Sequence, residues 1–299
     1  MDATPAYSRA FCEPQYNQRL NVPDRPASMA RRQELCERVR RDLRSTLDIP
    51  YGESALERLD IYPAADPDAP VMVFIHGGYW QRFDKADVAF LAEPFVRAGV
   101  TLVNVNYDLC PTVTLDRIVA QVRAACAWVW RHVADHGGDP DRIFVSGNSA
   151  GGHLTAMMMA TDWPALDAAL PRDVLKGGLA ISGIYDLEPL RYTSINDAVG
   201  LDADAARRNS PVMMQPPTGA PVVVAVGALE SPEFQRQTRA LAAAWKAAGT
   251  DSSARTLVVP GCHHFNILLD LAEPGSLLMQ AALDLMQENR NPRREGCPT

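Results

Sequence analysis

Residues Arg142 to Ala160 read RIFVSGNSAGGHLTAMMMA. The apolar run Ile143–Val145 has the β-branched and aromatic character of a strand, whereas Leu154–Met159 consists largely of strong helix formers. The junction is built from small residues, with Ser149 at the centre of the pattern Gly147-Asn148-Ser149-Ala150-Gly151. A chain that turns from strand to helix so abruptly brings backbone against backbone and leaves room only for small neighbours. The serine hydroxyl then stands clear of the sheet while the first helix amides point into the same space. That placement suits a nucleophile. A serine at such a junction also serves as a helix N-cap, and this stretch alone leaves both readings open.

Outward from the junction the strand pattern recurs. LERLDIYP (56–63), PVMVFIHGG (70–78), VTLVNVNY (100–107), KGGLAISG (176–183), APVVVAVG (220–227) and ARTLVVPG (254–261) are short strand candidates. Helical segments are expected at about 27–46, 114–136, 149–160, 233–248 and 275–289; Leu115, Ile118, Val119, Val122, Ala125, Cys126, Val129 and Val133 share one face of the longest. KADVAFLAEPFVRAG (85–99) has helical spacing that Pro94 should kink or restart. Val- and Ile-rich strands alternating with helices predict an α/β fold, a mostly parallel central sheet with helices on both faces. Residues 1–50 read as an N-terminal arm and helix, irregular over 1–26 and placed to cover a pocket. Residues 51–290 read as one domain with an excursion at about 186–220, and residues 291–299 as a polar tail.

A chain of 299 residues with 47% apolar and 22% charged residues buries a substantial core. Its net charge of -7 offers little to a nucleic-acid backbone. Arg31, Arg32, Arg38, Arg40, Arg41 and Arg44 are interleaved with Glu34, Glu37 and Asp42 and read as a solvated helix face rather than an anion-binding patch. No apolar run is long enough to span a bilayer, and MDATPAYSRAF lacks the basic and apolar regions of a signal peptide. Six widely spaced cysteines without a CxxC fit reduced thiols and a cytoplasmic setting. No HExxH or related ligand cluster, P-loop or GxGxxG is present, so neither metal nor cofactor is expected.

A serine hydroxyl needs a base, a group to orient that base, and donors for a developing oxyanion. Only His263 and His264 follow His153 in the chain, both directly after a strand candidate. His132 and His136 lie near a helix end, and His153 sits beside the serine on the new helix. Glu230 follows APVVVAVG and is the preferred orienting acid; Glu233, after Pro232, reads as a first-turn carboxylate facing exposed amides. Asp197, Asp202 and Asp204 read as surface groups, though the sequence does not eliminate them as the acid. HGGYW (76–80) can aim the amides of Gly78 and Tyr79, with that of Ala150, at one oxygen, and His76 can brace the loop.

HGGYWQ (76–81), GNSAGGHLTAMMM (147–159), SGIYDLEPLRYTS (182–194), RRNSP (207–211), ESPEFQRQTRAL (230–241) and HFNILLDL (264–271) together resemble the kynurenine formamidase (arylformamidase) family of α/β-hydrolases, over most of the chain. The resemblance implies Ser149 as nucleophile, His264 rather than His263 as base, and Glu230 where the family usually carries Asp. Asn148 likewise stands where His is often found. It further implies hydrolysis of N-formyl-L-kynurenine to L-kynurenine and formate without a metal. Tyr79, Trp80, Tyr185, Tyr192 and Phe265 are candidates to line a pocket for an aromatic ring. The expected partner is a small aromatic formamide or ester, with a homodimer as the assembly considered. A carboxylesterase or arylamide hydrolase using the same residues is the nearest alternative. A catalytically silent relative would be expected to lack one of these groups.

Overall fold

Alternate side chains along Val71–Ile75 enter two different cores: Val71, Val73 and Ile75 join one, Met72 and Phe74 the other. This is the period of a strand covered on both faces. The computed structural model describes residues 7–246 and 254–288. Among them a single sheet contains β1 (Thr46–Pro50), β2 (Arg58–Tyr62), β3 (Ala69–Ile75), β4 (Thr101–Val105), β5 (Gly138–Asn148), β6 (Gly178–Ile181), β7 (Val222–Gly227) and β8 (Ala254–Val259). The order is β1-β2-β4-β3-β5-β6-β7-β8. The β1–β2 and β2–β4 pairings are antiparallel, and all later ones are parallel.

The principal helices are α1 (Arg9–Tyr16), α2 (Arg25–Asp42), α3 (Leu115–His132), α4 (Ala150–Met159), α5 (Pro232–Lys246) and α6 (Leu277–Glu288). Helices α1, α3, α4 and α5 contribute to one core, α2 and α6 to the other. Helix α3 shows why the spacing was legible: Leu115, Ile118, Val119, Val122, Ala125, Cys126 and Val129 are all buried. Thr114 caps its first turn by accepting from the Arg117 amide at 3.3 Å, and Arg131 and His132 sit near its negative end.

Two expectations fail in the first 50 residues. The stretch read as irregular contains α1, capped by Ser8 and tolerating Pro14, while α2 stops at Asp42 and the chain then forms the edge strand β1. As expected, the segment before β4 restarts near Pro94, a 3₁₀ turn at Lys85–Leu91 passing into a helix at Ala92–Arg97. The excursion between β6 and β7 consists of short helical pieces at Glu188–Tyr192, Asn196–Val199, Ala203–Arg208 and Pro211–Met213. The tail at 291–299, Cys297 and the expected end of the 233–248 helix lie outside the described residues. Cys12, Cys36, Cys110, Cys126 and Cys262 are free and buried.

Strand β3 lies between β4 and β5, so the connection out of β3 goes to one side and the connection out of β4 crosses back to the other. Crevices form beyond strand ends at such a switch point. Ile75 pairs with Gly147 there, which brings the loop after β3 alongside the turn after β5.

Candidate active site

Ser149 adopts φ 60° and ψ -118°, a conformation foreign to L-residues that costs about 1–3 kcal/mol. The surrounding glycines make the turn possible. A Cβ on Gly151 would lie 2.0 Å from the Ile75 carbonyl oxygen, and one on Gly147 would lie 2.4 Å from that of Gly151. The Ser149 amide donates to the Ile181 carbonyl at 2.8 Å, tying the turn to β6. Its side chain makes no capping hydrogen bond to α4. The hydroxyl instead lies 3.0 Å from Nε2 of His264.

His264 is buried in the loop after β8, and its Nδ1 lies 2.6 Å from Oε2 of Glu230, in the turn after β7. With Nδ1–H donated to the carboxylate, Nε2 presents its lone pair to the Ser149 hydroxyl. The other carboxylate oxygen, Oε1, accepts from the Gly227 amide at 2.9 Å and from the Ser182 hydroxyl at 2.5 Å. Phe234 packs against the imidazole, ring centres 4.8 Å apart. Both oxygens of the buried acid are therefore occupied, and one fixes the tautomer and direction of the histidine.

His263 does different work. Its Nδ1 accepts from the amides of Phe265 and Asn266 at 3.1 and 3.3 Å, so Nε2 carries the hydrogen and donates to Asp24 at 3.2 Å. It ties the loop after β8 to the start of α2. Glu233 lies in the first turn of α5, as expected; there it is buried, accepts from the Tyr16 hydroxyl at 2.6 Å and pairs with Arg236 at 2.9 Å. It anchors α1 to α5.

The loop after β3 lies directly against the serine turn; a Cβ on Gly77 would be 3.1 Å from Cβ of Ser149. Gly78 has φ 111° and Tyr79 φ 54°. Among the described residues the amides of Gly78, Tyr79 and Ala150 donate to no protein acceptor. Behind the loop, fully buried His76 stacks on Tyr107 and lies between the Gly77 carbonyl (2.8 Å) and Oδ1 of Asn106 (2.9 Å). Burial pushes its pKa below the usual histidine range. His76 is a brace, as the sequence suggests. His153 is also buried, with Nε2 donating to the Asn209 carbonyl at 2.7 Å and burial pushing its pKa down to about 4.

Of the five aromatic candidates, Tyr79 and Phe265 line the pocket above Ser149. The other three do not. Trp80 is fully buried, edge-on to His153; Tyr185 is fully buried with its hydroxyl donating to the Ala180 carbonyl at 3.3 Å; Tyr192 is partly exposed beside Tyr7. The N-terminal segment supplies one wall of the pocket through Asn17, Gln18, Arg19, Met29 and Arg32, residues that the sequence reading did not individually assign to it. Arg32 overturns the solvated-face expectation for its own position, since it is 7% exposed. The signal available was only its place in a helix beginning just after an arm expected to cover a pocket. Asn148, 6% exposed, and Ser194 and Ile195 of the excursion also line the cavity.

No helix among the described residues is long and apolar enough to cross a membrane, and no group of three or more His, Cys, Asp or Glu among them could hold a metal ion.

A mostly parallel sheet whose β5 runs through a strained serine turn into α4, with Glu and His loops after the last two strands, defines an α/β-hydrolase. Residues 59–186 match the BD-FAE family profile, and the chain is 34% identical to the kynurenine formamidase of Salmo salar over 287 residues, 93% of this chain and 95% of the relative. It belongs to the kynurenine formamidase family and is a hydrolase of the esterase and formamidase type. The kynurenine formamidase of Danio rerio is also 34% identical, over 84% of this chain and 85% of its own. The crystal structure of a provisionally named thioesterase from Silicibacter sp. tm1040 superposes with a TM-score of 0.79 at 33% identity, covering 90% of this chain and 98% of that one.

Proposed function

We propose that the protein is a serine hydrolase of aryl formamides, with N-formyl-L-kynurenine as substrate and L-kynurenine and formate as products. Ser149 is the nucleophile, His264 the general base and acid, and Glu230 the orienting carboxylate. The observation that carries this reading is the 3.0 Å approach of Ser149 Oγ to His264 Nε2 beside three unengaged amides. The fish relatives named kynurenine formamidase support the choice of substrate.

Ser149 Oγ attacks the formyl carbon as its proton passes to Nε2 of His264. The imidazolium so formed is stabilised by Glu230 at Nδ1. The carbonyl electrons move onto oxygen, where the amides of Gly78, Tyr79 and Ala150 receive the charge; one such donor is commonly worth about 3–4 kcal/mol in the transition state. Collapse breaks the C–N bond, and Nε2 returns its proton to the departing aryl amine. Water then attacks the formyl ester with His264 as base, releasing formate and restoring the Ser149 hydroxyl. The N-terminal segment acts as cover for the aryl portion, which Tyr79 and Phe265 flank.

The relationship to the thioesterase structure favours a second reading, in which the same groups cleave an ester or thioester. The two separate in a panel of N-formylkynurenine, formanilide, phenyl acetate and a short acyl thioester compared by kcat/KM. Preference for the formamides supports the proposal. Turnover confined to esters or thioesters replaces it.

A further inference from the structure

Arg32 is a buried cation with few bonds for its hydrogens. Among the described residues it forms no ion pair, and its Nε has no hydrogen-bond partner. Its terminal nitrogens make only long contacts, 3.8 Å to the Met29 sulfur and 3.4 Å to the Asp87 carbonyl oxygen. The guanidinium lies over Phe90 at 5.4 Å, and burial pushes its pKa below that of an ordinary arginine. One oxygen of the nearby Asp87 carboxylate accepts the Asp84 amide; its charge offsets part of the desolvation of Arg32, but the two groups form no ion pair. A buried charge with no ion-pair partner is costly, and guanidinium is shaped to receive a carboxylate through two parallel hydrogen bonds.

The surroundings point the same way. Arg32 lines the pocket that holds Ser149 and His264, and exposed Arg19 and Arg82 lie on that lining too. No Asp or Glu is among the lining residues, although the chain as a whole carries a net charge of -7. Asn148, also in the lining, has a buried Nδ2 with no partner. The pocket thus concentrates unengaged donors and positive charge in an otherwise acidic protein.

We propose that Arg32 is the anchor of a carboxylate-binding subsite, selecting aryl formamides or esters that bear an anionic group on the leaving-group side. Asn148 supplies a further donor, and Arg19 and Arg82 draw the anion toward the pocket from its rim. The proposal rests on Ser149 being the hydrolytic centre, but it does not depend on whether the bond cleaved is an amide or an ester.

The test uses the full chain and two matched substrate pairs: aryl formamides bearing either a short-chain carboxylate or the corresponding primary carboxamide, and the analogous aryl acetates. The wild type should prefer the carboxylate member of whichever pair it turns over by about tenfold or more in kcat/KM, the scale of one buried charge contact. Arg32→Met should abolish that preference, raising KM for the carboxylate member far more than for its carboxamide counterpart, while the protein still folds. Arg32→Lys, which keeps the charge, should recover part of the preference and serves also if the Met variant does not fold. Equal losses on both members, or no preference in the wild type, overturn the subsite. Turnover of the acetates alone would overturn the formamidase reading while leaving anion selection measurable. Calorimetric binding of the carboxylate-bearing aryl amine reads the subsite without turnover; equal affinity in wild type and Arg32→Met overturns it.

Discussion

Glu230 and His264 meet through a 2.6 Å contact between Oε2 and Nδ1, in a pair of loops that follow β7 and β8. The second carboxylate oxygen is held by Ser182 and Gly227, so the longer reach of Glu relative to Asp is absorbed by fixed donors on neighbouring turns. Glu230→Gln would place an amide where both partners donate, favouring the wrong histidine tautomer. We expect kcat to fall by about 10²–10⁴-fold with the fold retained. Glu233→Gln should instead act on stability, because its carboxylate receives the Tyr16 hydroxyl and the Arg236 guanidinium. Comparable kcat losses from the two variants, measured alongside thermal midpoints, would contradict the division of roles.

The adjacent histidines should separate just as clearly. His264→Ala is expected to lower kcat by about 10⁴-fold or more. His263→Ala releases the tie to Asp24 and loosens the loop, which should cost no more than about 10²-fold through misplacement of His264. The reverse ranking in steady-state kinetics would exchange their assignments.

Helix α1 is attached by buried side chains and by long-range hydrogen bonds. Tyr16 donates to Glu233 across the α1–α5 boundary at 2.6 Å, and Glu13 receives the Ser194 amide and hydroxyl, both at 2.6 Å. Tyr16→Phe removes a buried hydrogen bond to a charged acceptor, worth about 1.5–3 kcal/mol. It should lower the thermal midpoint by several degrees and raise KM more than it lowers kcat. An unchanged midpoint and KM would show that α1 is held by packing alone.

His153 gives the protein an acid-sensitive point. Burial depresses its pKa to about 4 from an ordinary value of 6.5, so between those values the unfolded chain binds the proton more readily than the folded one. Stability therefore rises with pH across that window: the penalty is absent above about 6.5, grows as pH falls, and reaches about 3 kcal/mol near pH 4. His153→Gln, which keeps a donor for the Asn209 carbonyl, should show a shallower loss of urea midpoint between pH 6.5 and 4. Parallel pH profiles for wild type and variant would contradict the assignment.

The serine turn, the glycine loop and the late acid and histidine were legible because each is a local pattern: small residues where backbones touch, and polar groups just after apolar strands. The direction of a ring is not local. Trp80 follows the glycines as Tyr79 does, yet successive strained residues send Tyr79 toward the pocket and Trp80 into the core. Arg32 looked like its charged neighbours because burial of one residue on a polar helix depends on what packs above it, here the pocket wall and Phe90. Helix α1 was hidden by Pro14 and by the fact that its stabilising partners, Ser194 and Glu233, lie far along the chain.

The most direct measurement is formate release from N-formylkynurenine by the wild type and by Ser149→Ala, each checked for an unchanged fold. The wild type should release formate stoichiometrically with kynurenine, and the variant should be slower by about 10⁴-fold or more. Formate release at comparable rates from both proteins, or none from the folded wild type, would contradict the account.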